Sequence, residues 1–104
     1  MPLADLSYLL QEPIGAFINA IPGPVFILIH VVLALLGVWL WRKAMGAGNA
    51  GAARGFMLFV IAELLYITYH LDVTTFLFAH TLAEVCDALG FLSIGLSLTA
   101  AKTA

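Results

Sequence analysis

Six side chains in this sequence could do chemistry: His30, Glu63, His70, His80, Glu84 and Asp87. The chain holds nine residues of His, Asp and Glu, and five of them fall within 69–87, "YHLDVTTFLFAHTLAEVCD". Imidazole nitrogens suit zinc, copper, iron and nickel, and a carboxylate can complete a mixed nitrogen–oxygen shell. On that chemistry His30, His70, His80 and Glu84 are candidate metal ligands, and a transition metal, haem or a pigment is the candidate cofactor. Carboxyls in an apolar setting can instead pass protons or cations, which makes Glu63, Glu84 and Asp87 a candidate relay. The blander alternative is a polar network: His30 and His80 hydrogen-bonding between helices, His70 reaching the interface, and the carboxyls satisfied by Tyr66, Thr81 or Ser93. The His80–Glu84 spacing resembles half a ligand pair on one helix, a pattern that also arises by chance.

The elements that must position these groups follow from composition. The 104 residues are 63% apolar and 10% charged, against about 25% charged in a soluble domain. A soluble chain this short could not hide so much apolar surface, so the expected solvent is a lipid bilayer. A net charge of −2 offers no basic patch, and nucleic acid is excluded as a partner. The single Cys86 rules out an intrachain disulfide or a paired-cysteine metal site, and it reads as a small buried apolar residue. No helical repeat, phosphate loop or zinc-finger spacing is present, and nothing marks the chain as an enzyme. Thr81 points about 100° from His80 on a helix, so no nucleophile–base pair is indicated.

Three stretches are long enough to span a membrane, at 24–43, 55–72 and 75–99. Read as one helix, the last two would reach about 65 Å, twice the hydrocarbon thickness, so they must turn back. Asp72, Thr74 and Thr75 are N-cap types and place a tight turn at 72–75, with Asp72 as an exposed cap. The connection at 42–54, "RKAMGAGNAGAAR", reads as a flexible loop with basic ends. Residues 2–21 carry apolar side chains at helical spacing (Leu3, Leu6 and Leu10, then Ile14, Phe17, Ile18 and Ile21) and are interrupted at Pro13. They read as an amphipathic segment lying in the interface. A secretory signal is not expected, because no Lys or Arg precedes Arg42. The expectation is therefore one all-α integral membrane domain, an antiparallel bundle of three transmembrane helices with an interfacial N-terminal segment.

Arg42, Lys43, Arg54 and Lys102 all fall on one side of such a bundle, and Asp5, Glu12 and Asp72 on the other. The positive-inside rule then puts the N-terminus outside and the C-terminus in the cytoplasm, with Trp39 and Trp41 at the inner interface. Threading the helices at 1.5 Å per residue places His30, His70 and His80 about 5–10 Å inside the outer end. Glu63 and Glu84 lie about 15 Å deep, near the midplane, with Asp87 almost a turn lower.

Facing is consistent with function. Glu63 and His70 are seven residues apart and share a helix face to within about 20°. His80, Glu84 and Asp87 form one stripe on the third helix. A carboxylate turned to lipid costs about 2.5 kcal/mol or more, so both stripes should turn inward, toward each other or a partner. Hydrocarbon disfavours the charged form, so Glu63 and Glu84 are expected to face each other and share a proton, or to be held ionised by a cation. Small residues at Ala79/Ala83 and Ser93/Ser97 would let another helix approach the third.

Two functions follow as expectations. One is a small membrane protein whose His/carboxylate cluster binds a metal ion or relays protons or cations near the outer face. The other is an accessory or anchoring subunit of a respiratory, photosynthetic or signalling complex, its polar residues meeting partner helices or ligating haem or pigment. Three helices leave little room for a complete transport path, which argues for a homo-oligomer or a larger complex.

Overall fold

A computed structural model describes residues 14–103 of the chain, 101–103 by their backbone alone. A short 3-10 helix at Ala16–Ala20 is followed by three long helices: α1 at Gly23–Gly46, α2 at Ala50–His70 and α3 at Phe76–Thr103. Among the described residues there is no strand. The first half of the expected interfacial segment, Leu3, Leu6 and Leu10 included, lies outside the described residues. Its second half forms the 3-10 turn, with Ile14 and Phe17 exposed.

All three helices are long and apolar enough to cross a membrane, and the distribution of side-chain size shows the same solvent. The buried positions are mostly small, Ala34, Ala44, Ala52, Ala53, Ala62, Ala79 and Ala83, with Val60 and Glu63 the larger ones. The large apolar residues point out, as with Leu28, Val32 and Leu35 on α1 and Leu92, Leu96 and Leu98 on α3. Water would select the reverse arrangement, whereas in lipid nothing is gained by hiding leucine and much by letting backbones approach closely. The chain is a multi-pass helical membrane protein.

Both turns are built by the same device. At the end of α1, Gly48 adopts φ 74° while its N–H donates to Met45 and the Asn49 N–H donates to Ala44. At the end of α2, Asp72 adopts φ 61° while its N–H donates to Tyr69 and the Val73 N–H donates to Thr68. Each is a left-handed residue closing a helix by two reversed hydrogen bonds, which satisfies carbonyls that lipid could not. Asp72 thus caps the C-terminus of α2 and not the N-terminus of α3, where the Thr75 carbonyl accepts from Ala79. Thr74 is engaged sideways, its hydroxyl 3.0 Å from that of Thr68.

The stretch 42–54 is not a flexible loop. α1 continues to Gly46 and α2 begins at Ala50, leaving a three-residue turn. Alanine is the best helix former, and the Asn49 side chain caps α2 by accepting from the Ala52 N–H at 3.0 Å. At the end of α1, Lys43 lies over the Trp39 ring, 5.5 Å from its centroid, a cation–π contact suited to an interface.

The layout is a layer with α2 in the middle. Among the described residues α1 and α3 each pack on α2 and neither packs on the other. α2 gives Val60, Glu63 and His70 to α1, and Gly51, Gly55, Leu58 and Tyr66 to α3. Ala79 and Ala83, expected to admit a further helix, are fully buried within the chain. Ser93 and Ser97 meet Gly51 of α2. Cys86 is half-buried and not a core residue.

Candidate functional site

The polar residues gather near the 71–75 turn, in the seams on either side of α2. In the α1–α2 seam, His30 Nδ1 lies 2.5 Å from Glu63 Oε2. Glu63 is 6% exposed, the one buried charged residue among those described. One proton between the two side chains leaves the pair neutral, whether it is drawn as imidazolium–carboxylate or as imidazole–carboxylic acid. That neutrality is what makes the burial affordable in hydrocarbon.

Two rings extend this pair. His70 stacks on His30 with ring centroids 5.3 Å apart, and Phe26 stacks on His70 at 5.2 Å. The second helix supplies both Glu63 and His70 because they are seven residues apart, and α1 supplies Phe26 and His30 because they are four apart.

In the α2–α3 seam, Tyr66 is the hub. Its hydroxyl donates to Glu84 Oε1 at 3.3 Å and lies 3.4 Å from His80 Nδ1. With its proton given to Glu84, the tyrosine oxygen can accept from a protonated His80 Nδ1. The Tyr66 ring also stacks on His30 at 5.1 Å, so it joins the two seams across α2. Phe76 stacks on His80 at 5.1 Å, and Tyr69 lies edge-on between Phe76 and His70.

The expected polar residues gather in one region, but with different partners. Glu63 and Glu84 do not share a proton with each other: Glu63 turns to His30 and Glu84 to Tyr66. The reason is rotational, since the Glu63–His70 stripe faces α1 while α3 lies against another face of α2. Nor does the third-helix stripe turn wholly inward. His80 and Asp87 are half-buried and Glu84 is exposed. Asp87 stands apart, its Oδ1 buried without a hydrogen-bond partner.

For metal chemistry, among the described residues no group of three or more His, Cys, Asp or Glu side chains is placed to hold an ion. The Nδ1 atoms of His30 and His80 face Glu63 and Tyr66, and His70 presents its ring face to His30. Of the three partners the sequence offered for the carboxyls, Tyr66, Thr81 and Ser93, it is Tyr66 that meets Glu84. Its signal was positional, because it lies three residues after Glu63 and four before His70, on the polar side of α2. Comparison of the chain with family models, with curated proteins and with solved structures gave no match, so these side chains alone carry the functional argument.

Proposed function

We propose that this membrane protein relays protons through the cluster near its 71–75 turn, with His30, Glu63, Tyr66, His80 and Glu84 as the carriers. The observation that supports this most is the buried His30–Glu63 pair at 2.5 Å. A carboxyl and an imidazole that share one proton can exchange which of them holds it without creating net charge in hydrocarbon. Tyr66 gives the second link, its hydroxyl donating to Glu84 and lying 3.4 Å from His80 Nδ1, from which it accepts when that nitrogen carries the proton. The His30–Tyr66 ring stack sets the two links side by side. With basic residues marking the cytoplasmic side, the cluster lies toward the outer face.

A relay is preferred to a metal shell built from His30, His70, His80 and Glu84, because the Nδ1 atoms of His30 and His80 already serve a carboxyl and a hydroxyl and no three such side chains converge among the described residues. The test is proton flux in liposomes containing a pH-sensitive dye, driven by a potassium diffusion potential. The protein should acidify or alkalinise the lumen above lipid-only vesicles, and Glu63→Gln should reduce that flux at least ten-fold. Flux equal to empty vesicles, or unchanged by Glu63→Gln, overturns the reading.

A second reading is favoured by one observation: Glu84 is exposed at a depth where lipid would meet it. A partner helix bearing a donor at that depth would cover it, as in an accessory subunit of a larger complex. Co-purification of a stoichiometric partner after mild detergent extraction, lost on Glu84→Leu, supports that reading, and a monodisperse single species counts against it.

A further inference from the structure

Deeper than the polar cluster, toward the 47–49 turn, lies a cavity of about 200 Å³ bounded by all three helices. Leu36 and Leu40 of α1, Phe59 of α2, and Phe91 and Ile94 of α3 wall it, and Asp87 is its one ionisable lining residue. Because α1 and α3 do not pack on each other, the gap over α2 gives entry from the bilayer. A dry apolar cavity of about 150 Å³ already accepts benzene, so this one has room for an aromatic ring with a short polar arm.

Asp87 is the feature that a purely structural space does not explain. Its Oδ1 is buried and takes no hydrogen bond, although Tyr66 serves the neighbouring Glu84. Native proteins rarely leave a buried acceptor unmatched, because the lost solvation costs about 1–3 kcal/mol. The side chain is half-buried, and because χ2 is soft for a carboxyl, a turn about it is the movement by which an entering ligand would reach the oxygen. A protonated amine brings what is missing, namely an N–H donor and the counter-charge that lets a carboxylate stay ionised in hydrocarbon.

We infer that the Leu36–Phe59–Asp87–Phe91 cavity is a binding site for lipophilic amines, with the apolar body against the leucine and phenylalanine walls and the ammonium on Asp87. The Asp87 carboxylate accepts from the ammonium, and no bond is made or broken. The site is separate from the proton relay, and its occupancy is read without a proton gradient, so either conclusion can fail alone.

The experiment is equilibrium dialysis of radiolabelled phenethylamine against nanodiscs with and without the full chain. Propylbenzene, which puts a methyl in place of the amino group, serves as competitor. Saturable one-to-one binding above empty nanodiscs is expected, with propylbenzene competing at least ten-fold more weakly than unlabelled phenethylamine. Asp87→Asn should weaken phenethylamine at least ten-fold and leave propylbenzene unchanged. Leu40→Trp, which fills the space, should weaken both. Equal competition by propylbenzene, which would mark a place for acyl chains only, overturns the site and needs no variant. So does uptake no greater than in empty nanodiscs, or full affinity in an Asp87→Asn protein with wild-type helicity.

Discussion

Near the 47–49 turn, α2 and α3 approach until backbone meets backbone. A Cβ on Gly55 would lie 2.5 Å from the Gly90 carbonyl oxygen and 2.4 Å from Ile94 Cγ1, and a Cβ on Gly90 would lie 2.8 Å from the Gly55 oxygen. One serine adds to this contact, Ser93 donating to the Gly51 carbonyl at 2.7 Å. Near the 71–75 turn α2 meets its neighbours through large polar and aromatic side chains: Tyr66 on Glu84 and His80 of α3, His30 of α1 on Glu63, and stacked rings around them. Close approach at one end depends on shape and tolerates no added atom. Contact at the other depends on proton and charge matching and tolerates changes that keep the match. The Gly55–Gly90 crossing is scaffold, and the histidine end is where proton chemistry can be placed.

The largest expected effect tests that contrast directly. His30→Leu leaves Glu63 buried without its proton-sharing partner and should destabilise the bundle by about 3 kcal/mol or more. Thermal unfolding in detergent, followed by circular dichroism, would read it. The double variant His30→Leu/Glu63→Leu replaces the pair by apolar groups and should recover most of the loss, because the penalty belongs to the unmatched charge. If the double variant is as unstable as the single one, the histidine end is also held by shape and the contrast breaks.

Next come the glycines. Gly55→Ala should cost about 1–3 kcal/mol by overpacking, since its new Cβ meets backbone that cannot give. Gly37→Ala should cost less. Its nearest atoms are side-chain atoms, Val60 Cγ2 at 2.7 Å and Phe59 Cδ1 at 2.9 Å, which can rotate away. Ranking the two variants by melting temperature checks the claim, and the reverse order would move the tight crossing from the α2–α3 seam to the α1–α2 seam.

The three apolar helices and the hairpin were legible in the sequence, because apolar length and 1.5 Å per residue determine them. Pairing was not. α1 is apolar nearly all round, so its sequence does not say which way His30 turns, and Glu63 was matched to Glu84 when its partner is on the other side of α2. The 42–54 stretch was misread because glycine and alanine look alike as flexible composition. Alanine builds helix, and Gly51, like Gly55 just beyond the stretch, is there for the approach of α3, at Ser97 and Gly90 respectively. Tyr66 was legible only as one of several possible partners for the carboxyls, because a tyrosine in a membrane helix acquires a role from its neighbours, here a histidine and a carboxyl from another helix.

Tyr66→Phe separates the two meanings of the histidine end. It removes one hydroxyl with contacts of 3.3 and 3.4 Å and keeps the ring that stacks on His30. Interhelical hydrogen bonds in membranes contribute about 0.6 kcal/mol on average, so melting should shift little. Proton flux should fall at least ten-fold if the hydroxyl links His80 to Glu84. A shift in stability with flux unchanged would make Tyr66 scaffold and shrink the relay to the His30–Glu63 pair.

The smallest effect compares the two turns. They use one hydrogen-bonding pattern, but Gly48 fills the left-handed position in the first and Asp72 in the second, at φ 74° and 61°. A residue with a Cβ pays about 1 kcal/mol for that conformation, less for aspartate than for most because its short carboxylate can bond locally. Asp72→Gly should therefore raise stability by about 0.5–1 kcal/mol, and Gly48→Ala should lower it by about 1 kcal/mol. Asp72→Val, β-branched at positive φ, should cost more than Gly48→Ala. If Asp72→Gly stabilises but leaves proton flux unchanged, the aspartate is a tolerated cap. If it stabilises and slows flux, the carboxylate at the mouth of the cluster contributes to proton entry, and the 71–75 turn belongs to the site as well as to the fold.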